Sequence, residues 1–308
     1  MIIVFGSLNI DMMMPVGCFP KPGETMLCTA DYLSSPGGKG ANQAAAAARA
    51  GAKVAMVGMV GDDSFGRRCV NNLKQQGILA SGVAISERPT GCAMIAVNTH
   101  GENLVITAPG ANLDATSDQV PDEVFVPRNV ILAQLEVPPQ ETFSVLARAH
   151  AKGAITILNP SPARNLPPAA LKNMDYLIVN EIEALQLAQN LGIAGADPYP
   201  LARNIAQLGN LACVITLEDK GAVAARGEAL YTVPALPVEA VDTTGAGDAF
   251  CGIFAAGLQS GHDWLKALRY ASVGAGISCL GLGAQDGVPF LEDIEKNIGR
   301  ISPPQRVG

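Results

Sequence analysis

Charge is scarce in this chain of 308 residues. Asp, Glu, Lys and Arg make up 16% of it, against about a quarter in an ordinary soluble domain. That excludes a disordered, self-repelling chain, which needs high net charge and few apolar residues. Basic residues are scarcer than acidic ones, 21 against 28, and the net charge of −7 excludes nucleic acid or an anionic membrane as the main partner. Paired cysteines are also missing. The seven present (Cys18, Cys28, Cys69, Cys92, Cys213, Cys251 and Cys279) are odd in number and scattered, with no C-x-x-C, which excludes a disulfide framework or zinc site and fits a reducing compartment. No apolar run is long enough to cross a bilayer, and the start, Met1-Ile2-Ile3-Val4-Phe5-Gly6, lacks the basic head of a secretory signal. A soluble, cytoplasmic protein is expected. What is plentiful is small and apolar: 48% hydrophobic residues, 33 glycines and many alanines, a composition suited to tightly packed helix–sheet layers.

Short β-rich runs alternate with longer helical ones. Ile2–Phe5 is continuously apolar, as a strand buried on both faces should be. Lys39–Ala50 is an alanine-rich helix entered through Gly37-Gly38, and Val54–Met59 and Ser64–Gln76 form the next strand and helix. Val130–Ala133, Gln140–Ala151, Ala154–Leu158, Tyr176–Val179 and Ile182–Leu191 continue the rhythm. Leu211–Leu217, Gly221–Ala225 and Ala229–Val233 then read as strands, and Ala246–Ser260 and His262–Leu280 as helices. The pattern predicts an α/β fold with a mainly parallel central sheet and helices on both faces. Two segments break it: Asp11–Ser35, with the turn Phe19-Pro20-Lys21-Pro22-Gly23, and Gly91–Ala108, a hairpin around Thr99-His100-Gly101-Glu102. Both read as a small β-sheet lid, or else an extra antiparallel edge, on one domain spanning 1–308.

The most informative stretch is Val241-Asp242-Thr243-Thr244-Gly245-Ala246-Gly247-Asp248-Ala249-Phe250. A polar loop becomes an apolar helix across two glycines, leaving first-turn N–H groups bare at the positive end of the macrodipole. Asp248 stands at the mouth of that anion site. A carboxylate there is either a helix-start acid or a base aimed at the group that attacks a bound phosphoryl group.

Three further groups fall where chemistry is done. Asn9 and Asp11 follow the first strand, at the carboxyl end where open α/β sheets bind ligands, and point the same way on an extended chain. They are either hydroxyl ligands or turn formers. Pro36-Gly37-Gly38-Lys39-Gly40-Ala41-Asn42-Gln43 contains a Gly-Lys pair but lacks the glycine and Ser/Thr of a phosphate-binding P-loop. Its Lys39 and Asn42 share a helix face, and an Asn inside an alanine run is out of place unless used. Asn180-Glu181-Ile182-Glu183 reads either as a capping box or as oxygen groups facing a hydrated magnesium ion. His100, His150 and His262 show no ligand spacing.

Together these segments, with Asn159-Pro160-Ser161-Pro162-Ala163 and Gln134-Leu135-Glu136 between them, resemble the ribokinase-like (PfkB) carbohydrate kinase family from Met1 to about Pro289. The resemblance implies phosphoryl transfer from ATP to a sugar, ribose foremost. Asn9, Asp11, Gly38, Lys39, Asn42 and Glu136 would hold the sugar. Asp248 would take the proton of the attacking hydroxyl, and the N–H groups of Gly245, Ala246 and Gly247 would stabilise the phosphoryl group. Asn180 and Glu183 would organise Mg²⁺ through water, and Thr216, Gly221 and Ser272 would lie along the nucleotide. An activating K⁺ behind the anion hole would fall to Asp242, Thr244, Ser278, Gly281, Gly283 and Gly287. The resemblance also implies a homodimer paired through the lid, with Cys92, Met94 and Ala96 sharing a face with Leu104 and Ile106.

Two positions depart from the family pattern. Glu218 stands in the nucleotide loop where a glycine is usual, and Gly287 where a serine is common. The rival readings are a nucleoside kinase of the same family, which the few lid aromatics (Phe19, Tyr32) disfavour, another sugar kinase of that family, and a non-catalytic sugar- or nucleotide-binding regulator, which would need no Asp248.

Overall fold

The computed structural model describes residues 1–100 and 102–307. Gly101, which the sequence places in a hairpin turn, lies outside the described residues. In chain order the first elements are β1 (Ile2–Phe5), β2 (Asn9–Pro15), β3 (Leu33–Gly37), α1 (Lys39–Arg49), β4 (Val54–Gly61), α2 (Ser64–Gln75), β5 (Leu79–Ser86), β6 (Gly91–Val97) and β7 (Asn103–Ala108). The middle third holds β8 (Val130–Ala133), α3 (Pro139–Ala151), β9 (Ile155–Leu158), α4 (Pro168–Leu171), β10 (Tyr176–Asn180), α5 (Glu181–Leu191) and α6 (Pro198–Gly209). Then come β11 (Ala212–Thr216), β12 (Ala222–Arg226), β13 (Ala229–Val233), α7 (Ala246–Gln259), α8 (Trp264–Ser278), α9 (Leu291–Asn297) and β14 (Gln305–Arg306).

Ten strands form one sheet in the order β14-β13-β12-β11-β10-β9-β8-β1-β4-β5, parallel from β11 to β5 and antiparallel beyond β11. β1 shows why. All four of its residues are apolar and fully or almost fully buried, with Ile2 and Val4 packed on one side and Ile3 and Phe5 on the other. A strand covered on both faces needs helices on both faces. α1, α7 and α8 cover the first side, and α3, α5 and α6 the second. Alanine and glycine let α1 and α7 approach closely: a Cβ on Gly252 would lie 2.4 Å from the carbonyl oxygen of Gln43.

β3-β2-β6-β7 form a separate four-stranded sheet from the two segments that break the α/β rhythm. Cys92, Met94 and Ala96 pair with Ala108, Ile106 and Leu104 across β6 and β7, with Leu104 and Ile106 in the partner strand as expected. Sequence reading passes over β5, α4, α6, α9 and β14. α6 opens Pro198-Tyr199-Pro200, which looks like a loop, yet prolines in a first helical turn lose no hydrogen bond, and Asp197 caps the turn by accepting the Tyr199 N–H at 3.0 Å. β5 is an edge strand with an irregular register against β4, so its alternation is weak.

Candidate active site

α1 and α7 start at the same end of the large sheet, but their first turns differ. On α1, Lys39 N–H donates to the Glu136 carboxylate at 3.0 Å, Gly40 N–H to the Ser7 hydroxyl and Ala41 N–H to the Ser7 carbonyl. Ser7 in turn donates to Glu136 at 2.5 Å. The donors of that Gly-Lys turn are thus plugged from within, which is why it is no phosphate loop. On α7 the chain turns through Gly245 in the left-handed region (φ 77°), where a Cβ would collide with Ala284 at 2.7 Å, while a Cβ on Gly247 would meet nothing within 4 Å. The space above that turn is open. One expected donor is diverted, because Ala246 N–H turns back to the Thr243 carbonyl at 3.2 Å.

Asp248 follows in the first turn and is 6% exposed. A buried carboxylate needs hydrogen bonds, and α1 supplies them: Asn42 Nδ2 donates at 3.1 Å and Gln43 Nε2 at 3.0 Å, one to each oxygen. Gln43 also donates to Asn159 and accepts from Gln134 at 2.6 Å, while Asn42 accepts from Gln285 at 3.0 Å. Gln43, Gln134, Asn159 and Gln285 were not singled out as site residues. The signal for Gln43 was present, since it interrupts the same alanine run as Asn42.

A cleft of about 190 Å³ gathers Lys39, Asn159, Asn180, Glu183, Thr216, Gly245, Gly247, Asp248 and Cys251. Lys39 is held more firmly protonated than an ordinary lysine, chiefly by Asp248 and against the effect of burial, with Glu136 and Glu183 adding to it. A larger cavity of about 550 Å³ is lined in part by Leu217, Lys220 and Pro234.

Beyond Asp248 lies the expected sugar end. Asn9 is 3% exposed and accepts from Asn112 at 2.7 Å; Asn112 also pairs with both backbone groups of Leu8, fixing the corner between β1 and β2. The Asp11 carboxylate lies over Gly37, where a Cβ would sit 2.0 Å from its oxygen. Burial, then Glu136 and Asp248, push the Asp11 carboxyl up to about 7, with Lys39 pulling the other way. Gly38 (φ 89°) brings β3 into α1 close to the Asn9 backbone.

The chain belongs to the pfkB family of carbohydrate kinases. Its family model matches residues 1–291. The ribokinase of Bacillus subtilis is 39% identical over 298 residues, covering 96% of this chain and 98% of that one. The ribokinase structure from Thermotoga maritima superposes with a TM-score of 0.89 at 32% identity, over 97% of this chain and 99% of that one. An Arabidopsis thaliana ribokinase complexed with ribose and ATP superposes with a TM-score of 0.84 at 27% identity, covering 96% and 98%. The fold is therefore ribokinase-like, and the chain is a phosphotransferase acting on an alcohol group.

The remaining residues expected from this family fall into three groups. At the nucleotide loop, Thr216 donates to the Val179 carbonyl, and Ser272, 5% exposed, donates to the Pro234 carbonyl at 2.7 Å. Gly221 has φ 95°, and a Cβ there would strike the Val233 carbonyl at 2.1 Å. Glu218, in the position where the family has glycine, has φ 54°. Asn180 and Glu183 form a reciprocal capping box at 3.0 and 2.7 Å, as the first reading of that motif expects, and both also line the cleft.

Neither metal has a ready-made carboxylate cage: among the described residues no group of three or more His, Cys, Asp and Glu could hold an ion. Glu183 keeps one carboxylate oxygen outside the capping box, an oxygen donor of the kind a hydrated magnesium ion takes. The potassium positions cluster. Asp242 accepts from Thr244 N–H at 2.9 Å and Gly283 N–H at 2.8 Å, which lowers its pKa against the opposing effect of burial. Ser278 donates to the Ala275 carbonyl at 2.8 Å, and a Cβ on Gly287 would lie 2.4 Å from the Ser278 carbonyl. Gly281 and Gly287 touch backbone to backbone. The Ser278 carbonyl and the Asp242 carboxylate are oxygen donors of the kind a monovalent cation takes, in loops that glycine lets pack closely.

Proposed function

We propose that this chain transfers the γ-phosphoryl group of ATP to the 5-hydroxyl of ribose, giving ribose 5-phosphate and ADP. The observation that carries the reading is Asp248 at the mouth of an open helix N-terminus, oriented by two amides. Relatives named ribokinase align over nearly the whole chain, and one of them is a complex with ribose and ATP.

Asn9, Asp11, Gly38 and Glu136 grip the sugar hydroxyls at the carboxyl end of β1. Asn42 adds the amide hydrogen left over from its bond to Asp248. With the sugar so held, Asp248 takes the proton of the attacking hydroxyl as the oxygen approaches phosphorus. Charge building on the equatorial oxygens meets Lys39 and the N–H groups of Gly245 and Gly247, joined by Ala246 once its bond to Thr243 is given up. Thr216, Gly221 and Ser272 flank the nucleotide. When bound, Mg²⁺ neutralises the phosphate oxygens, and Asn180 and Glu183 would hold it through its waters. Asp242, Thr244, Ser278, Gly281, Gly283 and Gly287 would hold K⁺, whose charge steadies the loop leading into α7.

The protein works in the cytoplasm and pairs as a homodimer through the small sheet. All six residues of β7 are exposed, and Tyr32, Leu33, Met94, Leu104 and Ile106 leave an apolar surface that a second copy would cover. Cytoplasmic placement is supported by seven free cysteines and by the lack, among the described residues, of a helix long and apolar enough to cross a membrane. A screen of ADP release over pentoses, hexoses and nucleosides, with and without K⁺, tests the function. Ribose should give the highest kcat/KM. A preference for nucleosides, or no ADP release with any acceptor, contradicts it.

A further inference from the structure

Gln285 is not among the residues placed on the sugar or the nucleotide, yet it is 7% exposed and both polar atoms of its side-chain amide are hydrogen-bonded. Its oxygen accepts from Asn72 on α2 at 2.8 Å and from Gln76, the C-cap of that helix, at 3.0 Å, and its nitrogen donates to Asn42 on α1. Its backbone carbonyl accepts from Arg49 at 2.6 Å. Asn42 passes the chain on to Asp248.

The direction of this chain is forced by one group. An ionised carboxylate only accepts, so Asn42 must turn its NH₂ to Asp248 and its oxygen to Gln285. Gln285 must then present its own NH₂, leaving its oxygen for Asn72 and Gln76. The residue before it, Ala284, packs against Gly245 at the head of α7. One dipeptide in the loop 281–288 therefore touches both halves of the machinery, the anion hole through Ala284 and the base through Gln285 and Asn42.

We infer that Gln285 is a positioning residue for the phosphoryl transfer: through Asn42 it sets the orientation of the Asp248 carboxylate, and with Ala284 it holds base and anion hole in one register. The inference rests on the proposed role of Asp248. It differs from a clamp that merely fastens the loop to α2, because a clamp needs only the oxygen of Gln285, whereas orienting Asn42 needs its NH₂.

Two variants separate the two roles. Gln285→Met keeps the volume and removes every side-chain hydrogen bond. Gln285→Glu keeps the acceptors for Asn72 and Gln76 but faces the Asn42 oxygen with another acceptor. Both should lower kcat by about 10- to 100-fold, the loss expected from misplacing a reacting group, while KM for ATP stays within about threefold because no nucleotide contact changes. In an Asn42→Ala background, Gln285→Met should then add less than about a twofold further loss, since its effect runs through Asn42. A Glu variant at the parent kcat beside an impaired Met variant would leave only a clamp. Losses from Asn42→Ala and Gln285→Met that multiply would overturn the inference as well.

A second readout does not depend on turnover. In the ¹⁵N spectrum of side-chain amides, the Asn42 resonances should move in both Gln285→Met and Asp248→Asn. If they stay fixed in either, the chain of hydrogen bonds is not there. If the parent protein phosphorylates no sugar, the functional reading fails, and the amide spectrum still decides the relay.

Discussion

Gln43 Nε2 lies 3.0 Å from Asp248 Oδ1, joining two buried side chains from helices far apart in the chain. With Asn42 on the other oxygen, the carboxylate is held at a fixed angle over the open turn of α7. Asp248→Asn keeps the shape and removes the base. It should lower kcat by about 10²- to 10⁴-fold, while ribose binding measured by calorimetry survives. Turnover near the parent rate would make Asp248 only a helix-start acid.

Asp11 gives the site a pH dependence with a defined sign. Burial, with Glu136 and Asp248 nearby, raises its carboxyl from 3.8, the value of an unperturbed aspartate, to about 7 in the folded protein. Between those values the native state binds more protons than the unfolded chain, so this group's contribution to stability falls as pH rises through the window and is lowest above 7. Asp11→Asn removes that slope. Relative to the parent it should gain about 1–3 kcal/mol between pH 4 and pH 8, the discounted equivalent of such a shift for a partly solvated group. Denaturant midpoints at both pH values check this, and parallel curves for parent and variant would contradict it.

Glu218 holds a left-handed backbone conformation with φ 54°, which glycine adopts without strain. Glu218→Gly should raise stability or leave it level, since the relief of about 1 kcal/mol is offset in part by the greater freedom of an unfolded glycine. KM for ATP should fall several-fold as a negative charge leaves the loop that flanks the phosphates. Salt dependence supplies the check, because a charge effect shrinks at high ionic strength. A KM unchanged at low salt would show that Glu218 points away from the nucleotide.

Gly252 is where α7 meets α1. A methyl group there would press on the Gln43 carbonyl at 2.4 Å, so Gly252→Ala must part the two helices that carry Asp248 and its amide partners. A loss of about 1–3 kcal/mol of stability is expected from overpacking, with kcat falling more than the KM for ATP. Thermal unfolding and steady-state kinetics on the same preparation measure both, and a variant as stable and active as the parent would show that the contact yields.

How far the sequence could be read depended on what each residue advertises. β1 was legible because four consecutive buried apolar residues have few alternatives, and α7 because two glycines precede a long apolar run. That Cys92, Met94 and Ala96 share a face followed from alternation, while their register against Leu104 and Ile106 comes from the fold. α6 was hidden by its first-turn prolines. The amide network stayed hidden for a different reason: Gln134, Asn159 and Gln285 are ordinary polar residues until the fold brings them within 3.1 Å of partners dozens to hundreds of positions away. Sequence order carries no trace of that closeness. The plug of α1 by Glu136 was equally out of view, and it explains why a Gly-Lys turn without the rest of a phosphate loop is used for something else.

The central claim is that Asp248 and the open turn of α7 direct phosphoryl transfer to the primary hydroxyl of ribose. The most direct measurement is the proton-coupled ³¹P NMR spectrum of the product made from ribose and ATP by the parent protein and by Asp248→Asn. The account predicts a phosphomonoester signal split by the two protons of a CH₂ carbon, growing with ADP in the parent and nearly absent in the variant. Splitting by a single proton, as from a phosphate on a ring carbon, or an equal yield from the variant, would contradict it.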